Sequence, residues 1–263
     1  MLILLHSSKT MHRLDESYIP QSTPELLLKA DELAHYLQTL SVQKIAKMMK
    51  INDKLASDVF ETIHAWNTNS ANQRTAIHSF AGDIYSGLQV HTWSQDDLTY
   101  AQQHLRILSG LYGILRPLDG IMPYRLELGY RLPKEPYKNL YTFWGDTAAQ
   151  TLYKTELIVD LAAKEYSKLM LPYLPNANVI SPRFLTISSK TGEPSFVVVH
   201  AKIARGAFAA WLIRERIEDT AHITKFNDLG YTHSAEHSTA NEPTFIVEEF
   251  KGLGLSVRLH HKA

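Results

Sequence analysis

Between Gln103 and Arg131 the chain packs four glycines, two prolines and four arginines into a run of aliphatic residues, with no lysine. Leu105, Ile107, Leu108, Leu111, Ile114, Leu115 and Leu118 are apolar enough to be buried. Gly110, Gly113, Gly120 and Gly129, with Pro117 and Pro123, break any long helix and turn the chain repeatedly. Arg106, Arg116, Arg125 and Arg131 sit among them. A guanidinium is always charged and is costly to bury alone, so these residues need carboxylates, carbonyls or an anionic ligand. Asp119 and Glu127 are the local acids. Two readings stay open, buried structural ion pairs and an anion-binding cleft.

With 263 residues, 44% hydrophobic and 21% charged, the chain can bury a sizeable core. Its formal net charge is +0, so any nucleic-acid contact must come from a local patch. The absence of cysteine excludes disulfides, thiolate catalysis and Cys-ligated metal. No apolar run approaches the roughly 20 residues of a membrane span. Met1–His6 is too short for a signal peptide, so a cytoplasmic location without membrane attachment is expected.

Leu2–His6 reads as a buried strand. Helices are expected after Thr23-Pro24-Glu25, over 41–50 and 55–66, over 71–80, and from a Ser94 cap to about Ser109. The stretch 80–88 reads as a turn-rich loop. Further helices are expected over 147–154, 164–170 and 202–217. Strands are expected over 157–161, 179–186, 195–200 and 245–250, with a hairpin at Lys190–Glu193. The pattern predicts an α+β fold, one body around a mixed sheet, with a helical portion at about 24–78.

Four constellations could carry chemistry. In Ser41–Ala56, Lys44, Lys47, Lys50 and Lys54 face a single acid, Asp53, while Ile45, Met48, Met49, Ile51 and Leu55 mark a buried side. A short helix, a tight turn and a second helix resemble a helix-hairpin-helix element, which grips duplex backbone through amides and cations. The hairpin glycines are absent, and Asn52 with Asp53 occupies the turn. The alternative is a solvated basic face. Second, Lys9 and Thr10 follow the first strand, where they could meet an anion, though no Gly-rich loop precedes them. Third, Asp83 with Tyr85, Asp146, Glu165 with Tyr166, and Lys202 with Arg205 pair charged or acidic groups with aromatics and glycines. That suits acid–base work or structural pairing. Fourth, His233 and His237 are four apart and His260-His261 follow, but a Ser/Thr-rich context argues against a metal site. No metal and no cofactor are expected.

Together these segments resemble the YaaA family of bacterial peroxide-stress proteins. The ordered series includes Lys9-Thr10, Asn52–Ala56, Phe80–Leu88, His104–Asp119, Pro123–Gly129, Phe143–Asp146, Glu165-Tyr166, Ala201-Lys202, Ala204–Gly206, Phe226-Asn227 and Gly230-Tyr231. The resemblance implies an unusual mixed α/β fold and a cytosolic protein that limits peroxide damage when unincorporated iron is present. It also implies double-stranded DNA as partner, held by Lys47, Lys50, Asn52 and Lys54 of the hairpin. A basic cleft would add Lys9, Arg106, Arg116, Arg125, Lys202 and Arg205. The chain departs from the family at His6-Ser7-Ser8, Asn52, Asp160–Ala163 and Ile203, where Ser-Pro-Ala, Ser, Asn-Leu-Ala-Ser and a basic residue are usual. The rival expectation is an enzyme acting on a small anionic or nucleotide-like substrate, since phosphate gripping does not require Asp83, Tyr85, Asp146, Glu165 and Tyr166.

Overall fold

The apolar run at the N-terminus becomes the middle strand of a sheet. In the computed structural model, which describes residues 1–12, 18–69, 72–133 and 135–252, five strands form it. They are β1 (Leu2–His6), β2 (Leu105–Ser109), β3 (Gly113–Leu115), β4 (Leu157–Asp160) and β5 (Asn178–Ile180), in the order β3-β2-β1-β4-β5. β1 runs parallel to both neighbours, with Ile3 level with Leu105 on one side and Val159 on the other. β5 continues in parallel beyond β4, and β3 returns antiparallel on β2. Every residue of β1 is buried, which is why it carries no polar alternation. From β1 the chain goes to β2 on one side and then crosses to β4 and β5 on the other. At such a reversal the loops leaving the two adjoining strands diverge and open a crevice at their carboxyl ends. Here that crevice lies between His6 and Asp160.

A second sheet joins β6 (Arg183–Ile187), β7 (Pro194–Ser195), β8 (Thr232–Ser234) and β9 (Thr244–Val247) in the order β7-β6-β9-β8. β6 and β9 are parallel, and β7 and β8 pair antiparallel at the edges. Phe184, Phe208, Phe226, Tyr231 and Phe245 interlock against it through edge-on and stacked contacts. The architecture is the mixed α+β class expected.

Six helices matter to the site. α1 (Leu27–Gln38), α2 (Val42–Met49) and α3 (Asp53–Ala65) build the helical portion, and their apolar faces share one buried core with the central sheet. Ser41 and Asn52 cap α2 and α3, accepting from the Lys44 and Leu55 amides. α4 (Asp83–Leu88), α5 (Gln95–His104) and α6 (Val198–Arg214) flank the sheets. α6 crosses α4 at backbone contact. A Cβ on Gly206 would sit 1.8 Å from the Ile84 carbonyl oxygen, and one on Gly87 would sit 2.0 Å from that of Ile203.

Several expected elements differ, each for a reason of tertiary pairing. The helix from Ser94 ends at His104, and Leu105–Ser109 becomes a central strand because β1 offers it a parallel ladder. The 80–88 loop is α4, whose Gly87 fits against α6. The helix expected over 71–80 is a two-residue strand, Arg74–Thr75, paired with Gly120–Ile121, followed by a single helical turn; position 71 lies outside the described residues. The strand expected over 179–186 divides at Pro182 between the two sheets. The residues expected as a strand over 195–200 instead begin α6 at Val198.

The glycine crossing makes a signed prediction. In an unconstrained helix interior Gly→Ala gains up to about 1 kcal/mol of stability. Gly206→Ala is expected instead to lose more than about 2 kcal/mol, because backbone must separate from backbone. Urea unfolding of the variant measures this, and a gain in stability would show that the helices are not clamped.

Candidate functional site

The crevice between β1 and β4 has a floor of fixed, uncharged donors and acceptors. His6 ends β1, and its Nδ1 accepts the Ala163 amide at 3.1 Å across the crevice. Nδ1 is therefore unprotonated, and the ring's proton sits on Nε2. The ring stacks on Tyr166 at 4.7 Å. Burial, reinforced by the positive charges of Arg205 and Lys202, pushes its pKa down to about 3, so the imidazole is neutral in the working pH range. Beneath it the Tyr85 hydroxyl donates to the His6 carbonyl at 3.0 Å. The Tyr124 hydroxyl lies 2.6 Å from Ser109 Oγ, and both Tyr124 and Tyr166 interact with Ser7. Burial raises all three phenols: Tyr124 to about 12, Tyr85 and Tyr166 well above their usual value. They are hydroxyls rather than phenolates.

Charge is distributed unevenly around this floor. Each acid has its own donors. Asp160 accepts from Ser167 Oγ at 2.7 Å and the Ala162 amide at 3.1 Å. Burial raises its pKa, opposed by those bonds and by Arg205. Glu127 pairs with Lys9 at 2.8 Å, and Glu165 accepts the Gly129 amide at 2.7 Å. The cations are less well served. Lys202 and Arg205 project from successive turns of α6, half-buried, and neither has a hydrogen bond or an acid within 4.0 Å among the described residues. Burial lowers the pKa of Arg205, with Asp160 pulling the other way. Arg125 donates from one Nη to the Lys9 carbonyl at 3.3 Å, and its Nε is buried without a partner.

The expected residues therefore fall into separate places. Lys9, Tyr85, Arg125, Glu165, Tyr166, Lys202 and Arg205 gather at the crevice. Asp83 stands next to it at the start of α4, after Gly82 passes against Ser8. Thr10 is exposed just beyond, pairing with Ala81. Arg116 is elsewhere: with its own amide it binds the buried Asp119, which also receives Ser22 Oγ at 2.6 Å. Arg106 donates to the Gln102, Gln103 and Leu105 carbonyls around the end of α5. Those two arginines follow the structural-pair reading, their guanidiniums being occupied by the protein itself. Asp146 accepts from Gln150 and Tyr153, away from the crevice floor. His233 and His237 are not helical neighbours; each meets a serine, Ser238 and Ser234. His260 and His261 lie outside the described residues. Among the described residues no three metal-ligating side chains come together.

Lys44, Lys47, Lys50 and Lys54 are all exposed on the α2–α3 hairpin, and none has an acid within 4.0 Å among the described residues. Lys50 makes the turn in a left-handed conformation, φ 53°, doing the work of the absent glycine. Sequence reasoning passed over His6, Ser7, Tyr124 and Asp160 as site residues. The signal was there: His6 and Asp160 each close an apolar strand with a polar side chain, where parallel sheets bind ligands.

Fold and site together define a mixed α/β protein with a cation-rimmed crevice at the carboxyl edge of its central sheet and a separate basic helical hairpin. Residues 1–237 match the family described as peroxide stress protein YaaA. The chain is also 52% identical over 260 residues, 99% of each chain, to a UPF0246 protein of Salinispora tropica. It belongs to the YaaA peroxide-stress family.

The buried histidine predicts a pH dependence of stability. An unfolded chain protonates His6 near pH 6.5, whereas the fold holds it neutral down to about 3. Between those values the unfolded state binds the extra proton, so stability falls as pH falls, by up to about 1.4 kcal/mol per unit. In His6→Asn, Oδ1 can replace the Nδ1 acceptor and nothing titrates. Denaturant midpoints measured from pH 7 to pH 4 are expected to fall less steeply in the variant than in the wild type. Parallel curves would refute the assignment.

Proposed function

We propose that this member of the peroxide-stress family protects the cell by binding double-stranded DNA through the α2–α3 hairpin, largely without regard to sequence, and so limits iron-dependent peroxide damage. The observation that carries this reading is the set of four exposed lysines, unpaired among the described residues, around a capped turn. Ile45, Met48 and Met49 on α2, and Ala56, Val59 and Ile63 on α3, are buried, so packing turns the lysines outward. Such cations suit phosphodiester backbone, which positions a protein without specifying a base. The Asn52 side chain takes the Leu55 amide and leaves the earlier amides of the 13-residue α3 for an anion. With no cysteine, protection by thiol-based peroxide reduction is excluded. We place this activity in the cytoplasm, with no part for a membrane; no helix among the described residues is long and apolar enough to cross one.

A second reading is favoured by one observation, the convergence of Tyr85, Tyr124 and Tyr166 on His6-Ser7, with Glu165 and the Lys9–Glu127 pair near Tyr166. Backbone gripping gives no reason for three buried tyrosines there, whereas an enzyme acting on a small anionic or nucleotide-like substrate does.

Fluorescence anisotropy of a labelled duplex tests the first reading. Engagement of about four to six phosphates gives a slope of log affinity against log salt near −4 to −5. Lys50→Glu/Lys54→Glu is expected to weaken binding at least tenfold and to flatten that slope. Wild-type binding that ignores salt would overturn duplex recognition, and full binding by the variant would remove it from the hairpin.

A further inference from the structure

We propose that the crevice between the carboxyl ends of β1 and β4 is a binding site for a phosphate monoester, with Arg205 and Lys202 as its charged ligands and the His6 imidazole as a neutral donor. The inference deepens the second reading by naming its ligand class, and it is a claim of binding that holds whether or not a reaction follows.

Three observations carry it. First, the topology reverses between β1 and β4, so the site lies where parallel sheets open to ligands. Second, satisfaction is lopsided. Asp160, Glu127 and Glu165 each have a donor of their own, while Lys202 and Arg205 have no acid within 4.0 Å among the described residues. A half-buried guanidinium with no acid in hydrogen-bonding reach is costly, and an anion arriving from solvent relieves that cost. Third, the remaining floor is made of neutral donors. His6 has committed Nδ1 as an acceptor, which leaves Nε2–H to donate, and the Ser7, Tyr124 and Tyr166 hydroxyls adjoin it.

The number of cationic contacts selects the ligand. Asp160 acts on Arg205 only through space, its oxygens being held by Ser167 and Ala162, so neither cationic head is bound to it. A phosphate monoester presents three terminal oxygens and up to two charges to the pair, whereas a carboxylate presents two oxygens and a backbone phosphodiester one charge. Arg205 offers the forked geometry that suits phosphate oxygens, and Lys202 offers a point charge. The site is also built differently from the hairpin. Lys50 and Lys54 are exposed, whereas Lys202 and Arg205 are half-buried on a helix clamped by Gly206 against α4.

Titration calorimetry of the full chain with inorganic phosphate, 5′-AMP and citrate tests the site, with thermal unfolding to confirm that each variant is folded. Phosphate and AMP are expected to bind one per chain. Arg205→Gln and, independently, Lys202→Gln should weaken both at least tenfold, whereas Lys50→Glu/Lys54→Glu should change neither by more than twofold. Lys202→Gln is the safeguard, since Lys202 makes no hydrogen bond or ion pair among the described residues. Unchanged affinity in both crevice variants would overturn the assignment. So would displacement of AMP by a duplex lacking terminal phosphates, which would make the crevice a backbone site. Citrate binding with neither phosphate probe overturns the phosphate class and leaves a small anion in the crevice. Silence from all three overturns both.

Discussion

Everything at the crevice depends on two glycines. Gly87 of α4 and Gly206 of α6 each lie under a carbonyl oxygen of the other helix, closer than any Cβ could approach. This contact holds two otherwise distant parts of the chain at a fixed depth. On one side it sets α4, so that Tyr85 reaches the His6 carbonyl. On the other it sets α6, so that Lys202 and Arg205 lie close enough to His6 to oppose its protonation. A larger residue at either glycine would part the helices by more than an ångström, enough to undo bonds that tolerate a few tenths. The clamp also explains why α6 is apolar nearly all round. It is packed against α4 and the second sheet; Lys202 and Arg205 occupy the stretch that faces the crevice, and Arg214 at its end pairs with Asp228.

The electrostatics follow from what that clamp leaves unfinished. Around Asp119 the protein completes its own network: Arg116, its amide and Ser22 saturate the carboxylate, and the loop 116–119 is locked. Around Asp160 it completes only the acid. Ser167 and Ala162 hold both oxygens, and Arg205 is left to act through space. Donors go to the carboxylates, while among the described residues no carbonyl is committed to Arg205, and this imbalance is what the proposed anion would relieve. Burial then acts in one direction on the uncharged groups. It keeps three tyrosines protonated and His6 neutral, so the floor keeps its donors over the whole physiological range.

Much of this was legible, and the reasons for the rest are specific. β1 was legible because Leu2–Leu5 form an unbroken apolar run before His6 closes the strand. The α2–α3 hairpin was legible because Ser41 and Asn52 cap it and its lysines keep to one side. β2 was not, because Leu105–Ser109 continues the apolar spacing of α5 without a break. The Ser94–Asp97 capping box fixes where that helix begins and nothing local says where it stops. The four arginines look alike in sequence, yet Arg116 has Asp119 three residues away and Arg106 has the carbonyls of its own helix end, while Arg125 has neither. The crevice itself could not be seen locally. His6 and Ala163 are 157 positions apart, and only the order of strands brings them together.

On the two proposed assignments the chain holds two phosphate-recognising devices of opposite design, and the physics of each forbids it the other's task. Lysines on an exposed hairpin hold strongly hydrated charges that release counterions on contact, so they favour a polyanion and weaken with salt. They have no means of closing around a single small group. The crevice cations are few, half-buried and fixed, so their attraction is screened less and their geometry discriminates more. They are too few to hold a duplex against physiological salt. A chain that used only the backbone of DNA would have had no need to keep a neutral histidine, three buried hydroxyls and an unpaired arginine at the carboxyl edge of its sheet. None of these groups adds to the hairpin, and the proposed phosphate ligand gives them a common purpose.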